Sequence, residues 1–571
     1  MYFLALATDY DGTIAHEGAV TEATRAALTR FKLTGRRVIL VTGRQMPDLA
    51  RVFPDLELFD RIVAENGALL YNPATREERL LAEAPPAALV ERLRERGVEP
   101  VAVGRCIVAT WEPHQNVVLE VIREMGLELV ITFNKGAVMV LPAGVNKGTG
   151  LAAAAADLEL AEANIVGVGD AENDHAFLHA CGCAAAVANA LPAVKEAADV
   201  VLAGERGEGV SELVQRICRE DAAIVPAQRH GLLLGHGPRD TPVHLAPNCG
   251  GVLIAGSSGI GKSTLATALS ERMVEKGLQF CVFDPEGDYG ELEHAVSVGD
   301  TTSPPARDET LKLLRTQGVN VVVNTQALGM PERPTFFAAL LPEVAALRAR
   351  TGRPHWLVID EAHHLLAADR GDVVQIVPEQ MPASMFITVH PDAMARAALQ
   401  TVHHVITLGR DAYQTLVTFC RQVGIDPPPE GPPHGDEQVL YWARGSEAPP
   451  QAVDAIRPTQ AHRRHTRKYA AGDVGDESFY FRGRDGKLKL RAQNLMIFEQ
   501  IAEGLDADTW EHHRRAGDYS TWFRDVIKDD GLAEEASAVE GDASLDADES
   551  RRRVLEAVAR RYTAPARAPA G

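Results

Sequence analysis

The chain has 571 residues, enough for three to four domains at the rough rule of ~150 residues each. Lys plus Arg number 58 against 79 Asp plus Glu, a formal net charge of −21. That excludes a chain that is basic throughout and coats nucleic acid, while leaving room for a local basic groove. Hydrophobic residues make up 46% and charged residues 24%, which excludes global disorder; few aromatics beside abundant Ala, Val and Leu suit parallel sheets buried under helices.

The N-terminus runs from Met1 into Asp9 without a basic leader and reads as a first strand, not a signal peptide. To about residue 220, short apolar runs at 3–8, 37–42, 165–168 and 199–202 alternate with helical patterns at 21–33, 45–52, 149–157 and 209–219. This is the pattern of βα units around a parallel sheet. The stretch 86–141 breaks the rhythm, with helices at 88–96 and 116–125 and strands at 101–111, 127–133 and 137–141. It reads as an αββ-like cap, about 82–142, inserted into the larger unit.

The first strand ends in Asp9-Tyr10-Asp11-Gly12-Thr13. In an open parallel sheet, ligands bind beyond the carboxyl ends of the strands, so this carboxylate pair faces the crevice. Like charges so close require a cation, and Mg²⁺ is the hard, oxygen-seeking candidate. One carboxylate can then attack phosphorus while the other handles the leaving-group proton. The second strand ends in Val41-Thr42-Gly43-Arg44 and supplies a hydroxyl; after the cap, Lys147 supplies an ammonium; a later strand ends in Asp170, followed by Asn173 and Asp174. An acidic turn would account for the first motif alone but not for four in this order.

With Glu65-Asn66-Gly67-Ala68 and Asn146-Lys147-Gly148, these motifs resemble the haloacid dehalogenase (HAD) superfamily, and within it the Cof-type phosphatases with a class IIB cap. The resemblance covers residues 1–222. It implies that Asp9 is the nucleophile of an aspartyl-phosphate mechanism and Asp11 the acid/base, with the Asp11 carbonyl a metal ligand. It implies that Thr42 and Lys147 hold the phosphoryl oxygens, and that Asp170 completes the Mg²⁺ site supported by Asn173 and Asp174. In this family the cap sets specificity, and this cap is short. The implied substrate is a small phosphorylated metabolite, a sugar phosphate or a phosphoglycolate-like acid.

Residues 223–249 read as a connector containing a hairpin, Leu232–Leu245. A second α/β unit, 250–445, opens with an apolar strand that runs into Gly256-Ser257-Ser258-Gly259-Ile260-Gly261-Lys262-Ser263-Thr264. Strand, glycine-rich loop and helix stand in the order that lets backbone N–H groups wrap a phosphate at a helix N-terminus. Lys262 then reaches the β/γ-phosphates of ATP or GTP, and Ser263 binds Mg²⁺. Residues 355–361 form an apolar strand ending in Asp360, a Mg²⁺ ligand through water, and Glu361, which can polarise an attacking water. Together with Phe283-Asp284-Pro285-Glu286-Gly287-Asp288-Tyr289, these motifs resemble the HerA–FtsK group of ATPases. The resemblance implies a RecA-like core, often hexameric, that often moves DNA or protein. Thr388 or His390 stands where a polar sensor is expected, and Arg410 is the candidate arginine finger on the nucleotide. His363 and His364 are sequence neighbours, which do not share a helix face, so they read as no metal pair.

Residues 446–478 read as a linker with a basic cluster at 462–468. A small, mainly helical unit at 479–534 holds Trp510, His512, His513, Tyr519, Trp522 and Phe523, a pattern typical of a compact core. The alternating basic run 482–491 reads as a solvated face. Residues 535–571 read as a flexible acidic segment, a basic helix and a tail. Seven Cys without a CxxC pair fit reduced thiols in the cytoplasm, and no apolar run reaches the ~18 residues of a membrane span.

The expected fold is therefore a HAD-like Rossmannoid domain with a cap, a RecA-like P-loop domain and a small helical domain. The leading expectation is a cytoplasmic two-headed hydrolase using Mg²⁺ and ATP. The alternatives are a nucleic-acid-processing ATPase with end-phosphatase activity, and a nucleotide-gated assembly module that forms a homo-oligomer. Glu361 beside Asp360 and the −21 charge count against a polynucleotide kinase form.

Overall fold

The structure, a computed structural model, describes residues 1–226, 230–290, 292–370, 377, 383–431, 435, 438–459, 478–483, 488–527 and 529–561. The chain divides into two compact units, residues 1–458 and 459–571.

The first unit holds two large sheets. One has eight strands in the order Val200–Val201, Cys183–Ala186, Ile165–Gly169, Ala5–Thr8, Arg37–Val41, Arg61–Ala64, Leu69–Asn72, Glu77–Leu80. The first six run parallel and the last two form an antiparallel edge. The central strands are apolar on both faces and wholly buried, as a sheet covered by helices on each side requires. Register aligns their tips. Thr8 pairs with both Val168 and Leu40, so Asp9, Asp170 and Thr42 emerge together at one end of the sheet.

The cap is a four-stranded antiparallel sheet, in the order Leu129–Asn134, Ala137–Pro142, Val108–Trp111, Ala102–Val103, with helices Ala87–Glu95 and Gln115–Glu124. The single strand expected over 101–111 is instead a short hairpin, because Gly104 and Arg105 turn the chain between its halves. Val90, Leu93, Val118, Val121, Val138 and Val140 close the cap's own core.

The second sheet has eleven strands. Its parallel part runs Val402–Leu408, Gly251–Ala255, Ala383–Thr388, Trp356–Ile359, Phe280–Asp284, Asn320–Asn324, Ala295–Val298. The strand bearing Thr388 thus lies between the P-loop strand and the strand that leads to Asp360. The hairpin Leu232–Gly237/Thr241–Leu245 does form, but it is not a free connector. It joins this sheet's antiparallel edge through strand Gln451–Ala455, which lies inside the stretch read as a linker. Leu232, Leu234, Val243 and Val453 are buried there, so apolar alternation places these segments in the sheet. The basic cluster 462–468 lies outside the described residues.

The second unit packs a ribbon, Phe479–Phe481 with Leu490–Ala492, against five helices. Trp510, Tyr519, Trp522 and Phe523 form its core as expected, and the Trp510 indole N–H donates to Ser550 Oγ (2.9 Å). His513 is part of that core, held between the Arg482 N–H (2.8 Å) and Asp518 (2.7 Å). The basic helix expected at 550–562 forms as Ala547–Arg561, while the flexible acidic segment expected at 535–549 is corrected. Helices Asp530–Gly541 and Ala547–Arg561 bury Leu532, Ala533, Ala536, Val554, Ala557 and Val558 in the same core. Acidic residues of Asp530–Gly541 masked the apolar stripe of Leu532, Ala533 and Ala536 that packs.

Candidate functional site

Asp9 leaves the first strand buried and meets Lys147, whose ammonium donates to Asp9 Oδ1 (2.6 Å) and to Asp174 Oδ1 (2.6 Å). Lys147 is brought there as the first residue of helix Lys147–Asp157, whose N-cap Asn146 forms a capping box with Thr149. Asp174 also accepts the N–H groups of Asp170 (2.8 Å) and Ala171 (2.9 Å), which fixes the turn after the Asp170 strand. Asp170 in turn accepts from Thr13 Oγ1 (3.1 Å).

Burial dominates the electrostatics. It pushes the Asp9 carboxyl upward, against the attraction of Lys147, and it raises Asp170. Burial alone would lower Lys147, but Asp174 and Asp9 outweigh it and hold the ammonium above the ordinary lysine range. Carboxylate oxygens of Asp9, Asp170 and Asp174 lie within 4.8 Å of one another. Three buried hard-oxygen donors of this kind fit Mg²⁺.

Asp11 points differently. Its carboxylate is gripped by Arg44 through Nε (2.6 Å) and Nη2 (2.7 Å), and Arg44 is itself braced by Asp48. Only the Asp11 carbonyl faces the acidic cluster, where it accepts from Lys135 (3.0 Å). Thr42 is buried at its strand tip and accepts the Arg44 N–H (3.1 Å). Asn173 turns its amide to Asn66 Oδ1 (2.9 Å), so among the expected site residues it holds the neighbouring loop.

The roles of three groups here escaped the sequence reading. Arg44 was visible only as the end of a turn motif. Lys135 is a cap residue far from every motif, although Asn134-Lys135-Gly136 is a tight-hairpin signal. Glu65 accepts the cap N–H groups of Arg105 (2.8 Å) and Cys106 (2.7 Å), clasping cap to core.

The second site is built mostly from backbone. Strand Gly251–Ala255 feeds the loop, and helix Lys262–Glu275 begins at once. Gly261 has φ +100° and open space where a side chain would stand, so the loop can coil with its N–H groups exposed to a ligand. Lys262 Nζ donates to Ser257 O (2.8 Å), which holds the ammonium over the loop's mouth. Gly409 lies against Ile260, so the neighbouring Arg410 sits beside its own chain's loop.

Asp360 is buried at its strand tip. Glu361, in a left-handed conformation, places Oε2 3.3 Å from His363 Nδ1, and that nitrogen is 3.1 Å from Thr388 Oγ1. Burial lowers His363 to about 4, so the ring is neutral near pH 7. The expectation that His363 and His364 point apart is corrected: their ring centroids are 4.1 Å apart, and ligand atoms of Glu361, His363 and His364 lie within 4.8 Å of one another. Asp284 accepts N–H groups from Gly287 (2.7 Å), Asp288 (3.0 Å) and Tyr289 (2.8 Å), so this acid shapes its own loop.

Comparison with known proteins separates the two sites. The profile of haloacid dehalogenase-like hydrolases matches residues 6–108 and 115–214, and that of the helicase HerA central domain matches residues 251–367. A phosphoglycolate phosphatase of Methanothermobacter thermautotrophicus is 31% identical over 222 residues, covering 37% of this chain and 97% of that protein. One from Haloarcula marismortui is 33% identical over 218 residues, 37% of this chain and 95% of that protein. A haloacid dehalogenase-like hydrolase from Bacteroides thetaiotaomicron superposes with a TM-score of 0.34 at 19% identity, over 38% of this chain and 99% of that one. No helix among the described residues is long and apolar enough to cross a membrane. Through its first two hundred or so residues the chain belongs to the haloacid dehalogenase-like hydrolases, with a HerA-like domain following in the same polypeptide.

Proposed function

We propose that the chain is a cytoplasmic phosphomonoester hydrolase of a small phosphorylated metabolite, working through an aspartyl-phosphate and joined to an ATP-binding and ATP-hydrolysing head. The phosphatase head is residues 1–222. The P-loop head takes in the hairpin 232–245 and the strand 451–455. The observation that carries the reading is Asp9, buried at a strand tip with Lys147 at 2.6 Å and the Asp170–Asp174 turn beside it.

In this reading Asp9 attacks phosphorus. Asp11 gives the leaving oxygen a proton and later takes one from water, and Arg44 sets its orientation. Thr42 and Lys147 hold phosphoryl oxygens. Asp9, the Asp11 carbonyl and Asp170 would hold Mg²⁺, with Asn173 and Asp174 behind them; when bound, the ion offsets negative charge on the phosphoryl group. In the second head Gly256–Thr264 bind the nucleotide phosphates, Ser263 and Asp360 hold its Mg²⁺, Glu361 polarises water and Arg410 contacts the nucleotide.

Two archaeal relatives named for phosphoglycolate make a small phosphorylated acid the first substrate to try. The likeness of residues 251–367 to the HerA central domain supports a second reading, an ATP-driven nucleic-acid processor that assembles as a homo-oligomer, with a hexamer as the first size to test. One screen separates them: phosphoglycolate, sugar phosphates and 5′- or 3′-phosphorylated oligonucleotides, each with and without ATP. Turnover of small monoesters without ATP is expected. Turnover of oligonucleotides alone would overturn the first reading in favour of the second.

A further inference from the structure

Lys135 is a second cation at the acidic cluster, delivered from the cap. It stands at the tip of the hairpin between strands Leu129–Asn134 and Ala137–Pro142. The two loop residues, Lys135 and Gly136, have φ of +49° and +87°, the paired left-handed geometry of a two-residue turn matched to strand twist. Such a turn is stiff, so the tip moves with the cap. The ammonium lies 2.7 Å from Asp170 Oδ2 and 3.0 Å from the Asp11 carbonyl oxygen. A side chain on Gly12 would stand 2.5 Å from Lys135 Nζ, so a glycine there is what lets the ammonium in. On the far side of the cap, Glu65 clasps Arg105 and Cys106, so the cap is closed while Lys135 is seated.

Two of the groups assigned above to Mg²⁺, the Asp11 carbonyl and the Asp170 carboxylate, are the two that Lys135 holds. An ammonium 2.7–3.0 Å from these oxygens and a divalent ion on the same two groups would lie within a few ångström of each other and repel, so each weakens the other's hold. Lys135 also differs from Lys147 in access. Its side chain is 48% exposed, against 1% for Lys147, so it can leave into solvent without opening the core.

We propose that Lys135 is a cap-borne counter-cation that competes with the divalent ion for the Asp11 carbonyl and Asp170. With the ion absent, the ammonium supplies the positive charge that closing a cap over buried carboxylates requires. When the ion binds, the ammonium is expelled and the hairpin tip is freed. This rests on the assignment of the Mg²⁺ site above.

The test is binding, not turnover. Mn²⁺ affinity is measured by electron paramagnetic resonance on the nucleotide-free full chain, for the wild type and for Lys135→Met, Lys135→Ala and Asp170→Asn. Both Lys135 variants should bind Mn²⁺ about tenfold more tightly than wild type, the size expected for removing one competing charge at a partly exposed site. Unchanged or weaker binding in either variant overturns the proposal. If Asp170→Asn abolishes a binding event that the Lys135 variants leave unchanged, only the role of Lys135 falls. If Asp170→Asn leaves Mn²⁺ affinity as it was, the metal-site assignment fails and the proposal with it.

Discussion

The two sites of the first unit hold charge in opposite ways. The hydrolase site is a convergence of side chains from residues 9, 11, 44, 135, 147, 170 and 174, and its acids are already paired with lysine, arginine or backbone N–H groups. The P-loop site is one contiguous segment whose binding groups are mainly backbone N–H, with a single ammonium resting on a carbonyl. The first site is part of the folding energetics of its domain, because the pairs of Lys147 with Asp9 and Asp174 are buried. The second is a loop between strand Gly251–Ala255 and helix Lys262–Glu275. Mutations should therefore separate function from stability at the P-loop and confound them at the hydrolase site.

The largest effect should follow Asp9→Asn. The amide keeps the shape but is no nucleophile, so monoester hydrolysis should fall by about 10⁴ or more, while ATP binding measured by calorimetry stays at the wild-type value. Phosphate release without ATP at anything near the wild-type rate would remove Asp9 from the nucleophile's role.

The comparison sharpens with two lysines. Lys147→Met leaves Asp9 and Asp174 facing each other in a buried site. Breaking a buried pair costs about 3–5 kcal/mol, so the urea midpoint of the hydrolase domain should drop steeply along with its activity. Lys262→Met should abolish nucleotide binding but shift stability by only about 1 kcal/mol, the ordinary worth of a hydrogen bond such as the one its ammonium gives Ser257 O. Equal destabilisation by both would break the contrast drawn here.

That contrast also explains what could be read in advance. The P-loop was legible because strand, loop and helix are adjacent in sequence. Asp9, Thr42 and Asp170 were legible because parallel strands place successive tips on one edge, and register then aligns them. Lys135, Glu65 and the Arg44 grip on Asp11 were not. Lys135 and Glu65 meet their partners 35 and 41 residues away between cap and core, where docking depends on shape, not periodicity, and the Arg44 grip on Asp11 depends on a side-chain direction that strand order leaves open. Strand Gln451–Ala455 was lost for a related reason: it is an antiparallel addition beyond a Pro-rich turn, outside the βα rhythm. Helix Asp530–Gly541 was hidden by composition, since an acidic outer face resembles a flexible segment unless the apolar stripe is followed.

A smaller effect concerns acid. His355 is buried just ahead of the Asp360 strand, its Nδ1 accepts the Gln279 N–H (2.8 Å), and burial lowers it to about 3. An unfolded histidine titrates near 6.5, so the unfolded chain binds this proton and the folded chain does not. Stability from this group is complete above about pH 6.5 and is lost as pH falls toward 3. Between pH 6.5 and 5 the loss should be about 2 kcal/mol in wild type. His355→Asn keeps an acceptor that does not titrate, so its urea midpoint, read by Trp356 fluorescence, should fall less over that window. Parallel pH dependence of the two proteins would remove His355 as the source.

The smallest effect asks whether the two sites, so different in construction, communicate. They meet at the opposite ends of their strands from the chemistry. Arg353 Nη2 donates to Glu159 O (3.1 Å), and a side chain on Gly352 would overlap Asn164 Oδ1. Asn164 stands directly before the strand that ends at Asp170, and its carbonyl accepts the N–H of Leu4, which leads into the strand that ends at Asp9. Arg353 stands three residues before the strand that ends at Asp360. A shift of the Asp360 strand with nucleotide would thus press on the base of both hydrolase strands, and strands transmit small displacements because packed sheets deform little. A non-hydrolysable ATP analogue should change the full chain's phosphatase rate about two- to fivefold, the low end of ordinary coupling. Arg353→Ala should leave the rate without nucleotide unchanged and remove the response. A response that survives Arg353→Ala would move the coupling to another contact, and identical rates with and without the analogue in wild type would make the two sites independent.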